Sequence, residues 1–556
     1  MTKTRWYKEA VVYQIYPYSY KDSNNDGMGD IPGIISKLDY IKDLGITAIW
    51  FSPLYKTPYK DYGYDISDYR MINPDLGTME DFDLLVSECH RRDIKVIMDM
   101  VINHTSNEHE WFKEAIKDKN SPYRDYYIIR EGKRKGNRLL PPTNWQSSFT
   151  GSAWARIEGT DEFYLHLFCV EQPDLNWENP KVREEIHDIL KYWLDKGVDG
   201  FRFDVFNMFS KVYPFKDGPR GGEDYYVDGP RIHEFLNEMS TKVINNYDTY
   251  TVGESYKPHY EDKLRYIDEK NNELDSIFDF EHLNSDNYIK FFRHRFRLKH
   301  FKDGLFKPQK DNYNRGWNTL VLENHDVNRS NSRFDIDVSK YRYEASTFLP
   351  LITYMGFGIP FIYMGQEIGM TKADFNSMDE LMDPVSHFVY DLMRKFHFPK
   401  SLAFKMVNYG ARDHARVPMQ WNDGVNAGFN DGAKPWQRMN GNYREINVES
   451  DLKSEKSIYR FYQKLIKLKK ENRVAIYGET KEYSHDDNKI IAYSRTLEDD
   501  RLFIAGNFSG KEVFYKIDDE FKDKLKVLLG NYDKSIIKDN VICFRPYEAI
   551  VFEVTK

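Results

Sequence analysis

Short apolar runs alternate with amphipathic segments up to about residue 370 of the 556-residue chain. Buried strands of parallel sheets are near-continuous hydrophobic runs, whereas helices repeat apolar residues at three- and four-residue spacing. One helical stripe, which ends before Gly197, consists of Val182, Ile186, Ile189, Leu190, Trp193 and Leu194. The runs with strand character are Val11–Tyr16, Ile46–Phe51, Lys95–Val101, Gly200–Val205, Tyr250–Glu254, Ser276–Phe280, Thr319–Leu322 and Ile359–Tyr363. Strand–helix alternation repeated in this way predicts an α/β fold, a (β/α)₈ barrel.

The pattern departs from this alternation in three places. A stretch rich in Trp, Asn, Pro, Ser and Gly follows the third strand, an irregular stretch follows the eighth, and period-two runs begin near residue 479. Period-two alternation is typical of antiparallel sheets. We therefore expect a barrel of residues 1–104 and 176–478 with an irregular part at about 367–440, an inserted domain of 105–175 and a C-terminal all-β sandwich of 479–556.

Three acidic residues, Asp204, Glu254 and Asp326, each close one of the apolar runs. A carboxylate at the end of a buried strand is costly unless it is paired or used. The C-terminal ends of barrel strands meet at one face, where active sites are built. Carboxylate pairs are the usual groups of glycoside hydrolysis, so the three residues together predict a glycosidase site.

The local sequence suggests different roles for these carboxylates. Arg202 lies two residues before Asp204 on the same strand face, and a nearby guanidinium keeps a carboxylate ionised, as a nucleophile requires. Glu254 ends a more apolar strand without an adjacent cation, and burial raises the pKa of a carboxyl, as a proton donor requires. His325 adds a neutral donor beside Asp326 that can bind ring hydroxyls in the transition state. Any one of these residues alone is better explained as a paired structural carboxylate.

Charge and composition narrow the classes of partner. The net charge is −8, whereas nucleic-acid binders usually carry a basic domain or stripe. The basic run Arg293–Lys302 is more typical of a solvated helix face than of a phosphate site. The three cysteines are widely separated, and the sequence shows neither an apolar leader nor a run of membrane-spanning length. We expect a cytoplasmic monomer or weak homodimer with no nucleic-acid or membrane partner and no organic cofactor.

Five motifs make the chain resemble the α-amylase family of glycoside hydrolases, and within it the oligo-1,6-glucosidase/α-glucosidase group. They are Asp99-Met-Val-Ile-Asn-His104, Gly200-Phe-Arg-Phe-Asp204, Gly253-Glu254, Glu323-Asn-His-Asp326 and Gln172-Pro-Asp-Leu-Asn176. The resemblance extends from about residue 5 to the end of the chain.

The resemblance implies a role for each site residue. Asp204 would be the nucleophile, Glu254 the acid/base and Asp326 the transition-state stabiliser. A pocket closed by Asp61 and Arg416 would bind one terminal glucose of a small oligosaccharide or disaccharide and give exo-action. The sugar-binding residues implied are Asp61, Tyr64, His104, Phe168, Arg202, His325 and Arg416.

The segment Asp22-Ser-Asn-Asn-Asp-Gly-Met-Gly-Asp30 is a candidate calcium loop after the first strand. Its side-chain oxygens alternate as in the first part of a calcium loop, with Gly27 for the sharp turn, but Gly33 stands where an EF-hand has Glu. An Asx-rich turn without an ion is the alternative. The resemblance implies a structural Ca²⁺ bound by Asp22, Asn24, Asp26, the Met28 carbonyl and Asp30.

Val205 directly follows Asp204, and a valine there goes with α-1,6 preference in the resembled group. Three departures leave the leaving group open: Tyr62, Ser255-Tyr256 after the acid, and Val327-Asn328 before Arg329. A sucrose- or maltose-type α-glucosidase therefore remains an alternative.

Two further enzymes of the family and one different class are also alternatives. A trehalose-6-phosphate hydrolase would need cations, which the Arg293–Lys302 run offers, although Glu281 is an unfavourable neighbour for phosphate. A sucrose isomerase would need an arginine-rich motif near 280–286, which is absent. Non-catalytic transporter subunits with this fold have a membrane span and typically lose the carboxylates, whereas this chain retains them.

Overall fold

Eight parallel strands close into a barrel in the computed structural model, which describes residues 5–149, 151–257, 260–289 and 292–555. Each strand pairs in register with the next in sequence, and the eighth pairs with the first. The strands are β1 (Val12–Ile15), β2 (Ala48–Phe51), β3 (Lys95–Met100), β4 (Gly200–Phe203), β5 (Tyr250–Gly253), β6 (Ser276–Ile277), β7 (Trp317–Val321) and β8 (Ile359–Tyr363). The predicted barrel and its eight strands are confirmed.

Alternate residues of these strands fill the barrel interior. Val12, Trp50, Ile97, Val252 and Phe361 belong to one buried apolar cluster. Inward-facing side chains in a barrel of this size pack as layers and leave no pore. The barrel interior is therefore filled with side chains, and a site can form only where the strands end.

Amphipathic helices cover the outside of the barrel. The stripe predicted before Gly197 forms the helix Pro180–Asp195, where Asn179 caps the first turn and Pro180 lies at the first position. The α-helices of the barrel and its connections are Ile31–Ile35, Leu38–Leu44, Met79–Arg91, Pro180–Asp195, Ile232–Lys242, Tyr260–Ile267, Leu298–Asn312, Val338–Tyr354, Val448–Lys453, Ile458–Glu471 and Arg473–Tyr477.

The segment between β3 and β4 forms a small structure of its own at the strand ends. It contains the helix Glu110–Lys117 and a three-stranded antiparallel sheet of Ile129–Glu131, Glu162–Leu165 and Trp154–Arg156. Shorter antiparallel pairs are Lys133–Lys135 with Arg138–Leu140 and Gln146–Ser147 with Gly151–Ser152. Its apolar cluster includes Val205 and Met208 from the barrel, so the insertion packs directly on the end of β4.

The segment after β8 is more regular than the sequence predicted. Helices Pro384–Lys395 and Lys400–Gly410 pack against one another, and the short helix Asp413–Arg416 follows. Asp383 caps the first helix by accepting from the Val385 N–H at 3.1 Å. Val385, Phe388, Val389, Leu392 and Met393 repeat at three- and four-residue spacing, a helical signal that the sequence prediction missed.

Two antiparallel sheets form the C-terminal domain. One contains Glu479–Glu482, Ile490–Leu497, Asp500–Asn507, Ala549–Val554 and Leu525–Gly530, and the other Val513–Lys516, Val541–Phe544 and Ile536–Lys538. Residues of both sheets, such as Phe503 and Phe544, share one buried cluster. Other residues of the larger sheet, such as Tyr493 and Val551, belong to the main core with the barrel helices. The all-β domain is confirmed, and the domain boundaries given above stay predictions.

The basic side chains of the run Arg293–Lys302 are mostly exposed, with Lys302 as the buried exception. Arg293 pairs with Asp335, and Lys299 lies 3.0 Å from Asp486. Lys302 is buried and donates to the carbonyls of Asp487 and Ile490, at the junction with the C-terminal domain. The expectation of a solvated helix face is therefore wrong for Lys302, because its ammonium satisfies carbonyls that the junction buries. Within the described residues, no helix combines the length and apolarity that a membrane span requires.

Candidate active site

The ends of β4 and β5 place Asp204 and Glu254 side by side. The barrel ladder continues one residue beyond each strand: the Asp204 N–H donates to the Met100 carbonyl at 3.1 Å, and the Glu254 N–H donates to the Phe203 carbonyl at 2.8 Å. The backbone of both predicted catalytic residues is thus fixed by the sheet. Rigid elements of this kind hold functional groups more precisely than loops do.

Arg202 joins three carboxylates at the centre of the site. One guanidinium nitrogen donates to Asp99 at 2.7 Å and to Asp204 at 2.8 Å, and the other donates to Glu254. The pairing of Arg202 with Asp99 follows from strand register, since the two residues are direct partners across β3 and β4. Glu254 therefore has a cation beside it, contrary to the sequence interpretation. The cation comes from the neighbouring strand, which local sequence does not reveal.

One guanidinium does not compensate fully for two buried carboxylates, Asp99 and Asp204, and the partly exposed Glu254. Burial raises the pKa of Asp204, and the positive charge of Arg202 opposes that rise. Burial likewise raises the pKa of Asp99 to about 6, again against the effect of Arg202. Because the carboxyl groups share one cation and repel one another, the cluster tends to keep a proton near neutral pH.

His325 lies over a stack of aromatic rings and is held at both nitrogens. Its ring is parallel to that of Tyr64, with 5.3 Å between centroids. Nε2 lies 2.7 Å from the Tyr64 hydroxyl, and Nδ1 lies 2.8 Å from the Gln14 amide nitrogen. Burial lowers the pKa of His325 to about 3, so the imidazole is neutral, as the sequence suggested.

Two arginines converge on Asp326 from the segment after β8. Arg416 donates to its carboxylate at 2.7 Å and Arg412 at 3.1 Å. Arg412 is also 3.4 Å from Asp61 and 2.6 Å from Asp383. The expected closure by Asp61 and Arg416 is thus made by Arg412, which the sequence reasoning missed. The signal was available, because residues four apart on a helix share one face and Arg412 precedes Arg416 by four positions.

The motif Gln172–Asn176 connects the insertion to the site. The Gln172 amide donates to Asp61 at 3.2 Å and lies 3.2 Å from His104 Nε2. His104 also forms an antiparallel bridge with Asp174. Burial lowers the pKa of His104 to about 4, which leaves it neutral. Phe168 packs on His104, with 5.1 Å between ring centroids. All the predicted sugar-binding residues thus contact the insertion, the strand ends or both, and Arg416 does so through Asp326 and the His325 carbonyl.

A cavity of about 760 Å³ opens above these residues. The predicted residues that line it are Asp61, Tyr64, His104, Phe168, Asp204, Val205, Glu254 and Asp326. Three other predicted residues lie behind that lining and contact it: Arg202, His325 and Arg416. The remaining wall is largely apolar and aromatic, with Phe149, Tyr256, Phe280, Leu283, Val327, Val385, Phe388, Val389 and Tyr409.

The three departures from the group's pattern are only partly at the cavity. Tyr256, Val327 and Asn328 line it. Tyr62 instead packs on Trp436, with 5.1 Å between ring centroids. Val205 lines the cavity with a φ of 36°, a left-handed conformation that is unfavourable for a β-branched residue. Strain of this kind is typical of functional positions. The left-handed conformation turns the chain sharply after the strand that carries Asp204.

The predicted calcium loop uses its oxygens internally. Asp22 accepts from the N–H groups of Asn25 at 2.7 Å and Gly27 at 2.9 Å, and Asp30 accepts from that of Ser23 at 2.8 Å. Within the part of the chain that the structure describes, no three His, Cys, Asp or Glu side chains are grouped to hold a metal ion. These contacts fit an Asx-rich turn, and bound Ca²⁺ through Asp22, Asn24, Asp26, Met28 and Asp30 stays a prediction.

A chelator separates the two interpretations of this loop. If Ca²⁺ binds, excess EGTA should lower the melting temperature by several degrees, because a ligand that binds only the native state stabilises it. Added Ca²⁺ should restore it, and Asp26→Asn should weaken the response. Differential scanning calorimetry measures the change. An unchanged melting temperature in EGTA, with wild-type behaviour of Asp26→Asn, would establish the Asx-rich turn.

Sequence and structure comparisons agree with this geometry. The profile of the alpha-amylase catalytic domain matches residues 14–478, and that of the alpha-amylase SusG C-terminal domain matches residues 490–551. The chain is 46% identical to an oligo-1,6-glucosidase of Parageobacillus thermoglucosidasius, over 99% of each chain. It is 42% identical to a trehalose-6-phosphate hydrolase of Bacillus subtilis, over 100% of this chain and 99% of that one.

Two solved structures show the same architecture over nearly the whole chain. A trehalose-6-phosphate hydrolase of Bacillus licheniformis superposes with a TM-score of 0.94 at 42% identity, covering 100% of both chains. An isomaltulose synthase of Klebsiella sp. LX3 superposes with a TM-score of 0.95 at 40% identity, covering 99% of both. The chain belongs to the α-amylase family of glycoside hydrolases.

Proposed function

We propose that this protein is a retaining α-glucosidase that removes one terminal glucose from short oligosaccharides, with a preference for α-1,6 linkages. The observation that carries the proposal is the contact of Arg202 with both Asp204 and Glu254 at the floor of a closed pocket. Retaining enzymes need two carboxyl groups only about 5–5.5 Å apart, and a planar guanidinium that contacts both is consistent with that separation.

The reaction takes two steps at these residues. The Asp204 carboxylate attacks the anomeric carbon while the Glu254 carboxyl gives its proton to the glycosidic oxygen, so that the C–O bond breaks and the leaving group departs as an alcohol. The Glu254 carboxylate then takes a proton from water, and the water oxygen displaces Asp204 from the anomeric carbon. Two inversions leave the product in the α configuration, with both residues in their starting states.

The closed end of the pocket supports exo-action on a single glucose. Arg412 bridges Asp61 and Asp326, so no further sugar can extend past them on that side. Asp326 lines the pocket and is placed to bind ring hydroxyls, and such bonds strengthen as positive charge develops on the sugar. Neutral His325 lies 3.5 Å behind this carboxylate. Tyr64, flat against His325, provides an apolar face for the ring.

The leaving-group side of the cavity favours a neutral sugar over a phosphorylated one. The lining cations are Lys257, Arg333 and Arg412, and they contact Glu223, Asp286 and Asp383, respectively. A phosphate would have to displace a buried carboxylate from Arg333 or Arg412, which costs much of the interaction it gains. Lys257 is the exposed cation of the three. No residue of the Arg293–Lys302 run, which lies within the described part of the chain, is among those that line the cavity. The relatives named oligo-1,6-glucosidase support the α-1,6 preference.

Location and assembly are further parts of the proposal. Cys89, Cys169 and Cys543 are free thiols, and Cys89 and Cys169 are buried, which suits a reducing cytoplasm. The proposed form is a monomer or weak homodimer that acts on an imported disaccharide or small oligosaccharide.

Asp204→Asn should lower the hydrolysis of 4-nitrophenyl α-glucoside by about 10⁴-fold or more, because the covalent step loses its nucleophile. Asp204→Gly should regain turnover in azide and release β-glucosyl azide, since the small anion can attack from the vacated side. Circular dichroism checks that each variant is folded. Undiminished turnover by Asp204→Asn would exclude the mechanism, and a folded wild-type protein without glucosidase activity would favour the transporter-subunit class.

Asp99→Asn should move the acidic limb of the kcat/KM profile to lower pH by about one pH unit. Asp204 must be ionised to attack, so activity falls as the pH drops through its raised pKa. Removing the neighbouring negative charge of Asp99 lowers that pKa, because Asp99 is one of the groups that raise it. The comparison needs pH profiles of wild type and variant with the same aryl glucoside. If the acidic limb does not move, the charge of Asp99 does not raise the pKa of Asp204.

Val205→Thr should lower the ratio of kcat/KM for isomaltose over maltose by about 10-fold, since one side chain supplies only a few kcal/mol of discrimination. Val227→Thr is a matched control, because the two valines are 7% and 6% exposed in the same apolar cluster and Val227 is not among the cavity lining. Sucrose, trehalose and trehalose-6-phosphate complete the panel. A wild-type preference for maltose would contradict the role assigned to Val205, and a preference for trehalose-6-phosphate would contradict the argument from paired cations.

A further inference from the structure

We propose that Gln14 is a positioning residue that fixes His325 as the tautomer with its proton on Nε2. Gln14 lies on β1, inside the barrel, and is only 1% exposed. Its amide nitrogen is 2.8 Å from His325 Nδ1 and 3.3 Å from the Ser52 hydroxyl oxygen. An amide N–H can only donate, so Nδ1 must be the unprotonated nitrogen of the ring.

The opposite side of His325 requires the same tautomer independently. The Tyr64 hydroxyl donates its one proton to Asp99 at 3.0 Å, a carboxylate that also accepts from Arg202 at 2.7 Å and from the Trp50 indole N–H at 3.2 Å. The same hydroxyl is 2.7 Å from His325 Nε2, so Nε2 must be the donor in that contact. Two contacts at opposite nitrogens therefore agree, and the chain of donors runs from Gln14 through His325 and Tyr64 to Asp99.

The direction of this chain matters because Nε2 contacts Tyr64, which forms part of the cavity wall. Nε2 lies 3.5 Å from the Asp326 carboxylate, next to residues that line the pocket. With the proton on Nε2, His325 donates to the hydroxyl of Tyr64, which lines the cavity; with the proton on Nδ1 it cannot. The charged and titratable groups that face this ring are Asp326, Arg202, Arg412, Arg416, Tyr16 and Tyr64.

The tautomer can be read directly by NMR of protein labelled with ¹⁵N-histidine, with His325→Gln to assign the signal. In the wild type, Nδ1 of His325 should resonate as an unprotonated ring nitrogen and Nε2 as a protonated one. Gln14→Glu sets an acceptor against Nδ1, so the proton should move to Nδ1. The measurement needs no substrate, so it can fail or succeed independently of the α-glucosidase proposal on which the catalytic consequence rests.

Kinetics test whether the tautomer is used. Gln14→Glu should lower kcat by about 10- to 100-fold, with a smaller change in KM, because Tyr64 then loses the hydrogen bond from Nε2 that holds it at the cavity wall. It should also add an ionisation to the pH profile, because a carboxylate at Nδ1 stabilises the imidazolium. Gln309→Glu controls for burying a carboxylate: Gln309 is also 1% exposed and contacts Leu305 and Phe357 far from the cavity lining. It should retain the wild-type tautomer and kcat.

Gln14→Met keeps the inference testable if Gln14→Glu does not fold. Methionine has a similar volume and no donor, so both tautomers should appear in the spectrum and kcat should fall less than in Gln14→Glu. A wild-type His325 protonated on Nδ1 would overturn the inference. A Gln14→Met variant that shows only the Nε2–H tautomer and retains the wild-type kcat would also overturn the inference, because the contact with Tyr64 alone would then fix the tautomer.

Discussion

A single buried guanidinium shared by three carboxylates is the interaction on which this site depends. Arg202 is held between strands β3, β4 and β5 and has no route to solvent. Removing such charges from water costs several kcal/mol each, and only close pairing offsets it. Because the positive charge is outnumbered, the cluster keeps a proton that an exposed group would lose. A proton and an ionised carboxylate in one pocket are what acid-assisted nucleophilic attack requires.

The barrel could be predicted because its signals are local. Eight apolar runs of strand length and one clear helical stripe are properties of neighbouring residues, and the carboxylates that follow the runs identify the face that carries the site. The partners of those carboxylates are set by strand register instead. The contact of Arg202 with Glu254 and the orientation of Gln14 depend on which strands are adjacent and how they are staggered. An amide inside an otherwise apolar strand was nevertheless a visible sign of a buried polar contact.

Ion pairs and hydrogen bonds of the site also connect the segments that lie outside the barrel. Asp383 caps the helix Pro384–Lys395, whose residues line the leaving-group side, and its carboxylate also holds Arg412 at the glucose end. Gln172 likewise connects the insertion to Asp61 by a hydrogen bond. The local sequence reveals neither feature, because the partners of Asp383 and Gln172 lie far away in the chain. The two ends of the pocket are therefore built as one unit from segments more than 200 positions apart in the chain.

The left-handed Val205 belongs both to the wall of the cavity and to the hydrophobic core of the insertion. A substitution that reshapes the leaving-group side must therefore also repack residues such as Met208 and Phe168. Selection for a new linkage would act on a position where stability is already reduced by backbone strain. Substrate preference in this lineage should consequently evolve together with compensating changes in the insertion, and variants with altered specificity should often be recovered only in stabilised backgrounds.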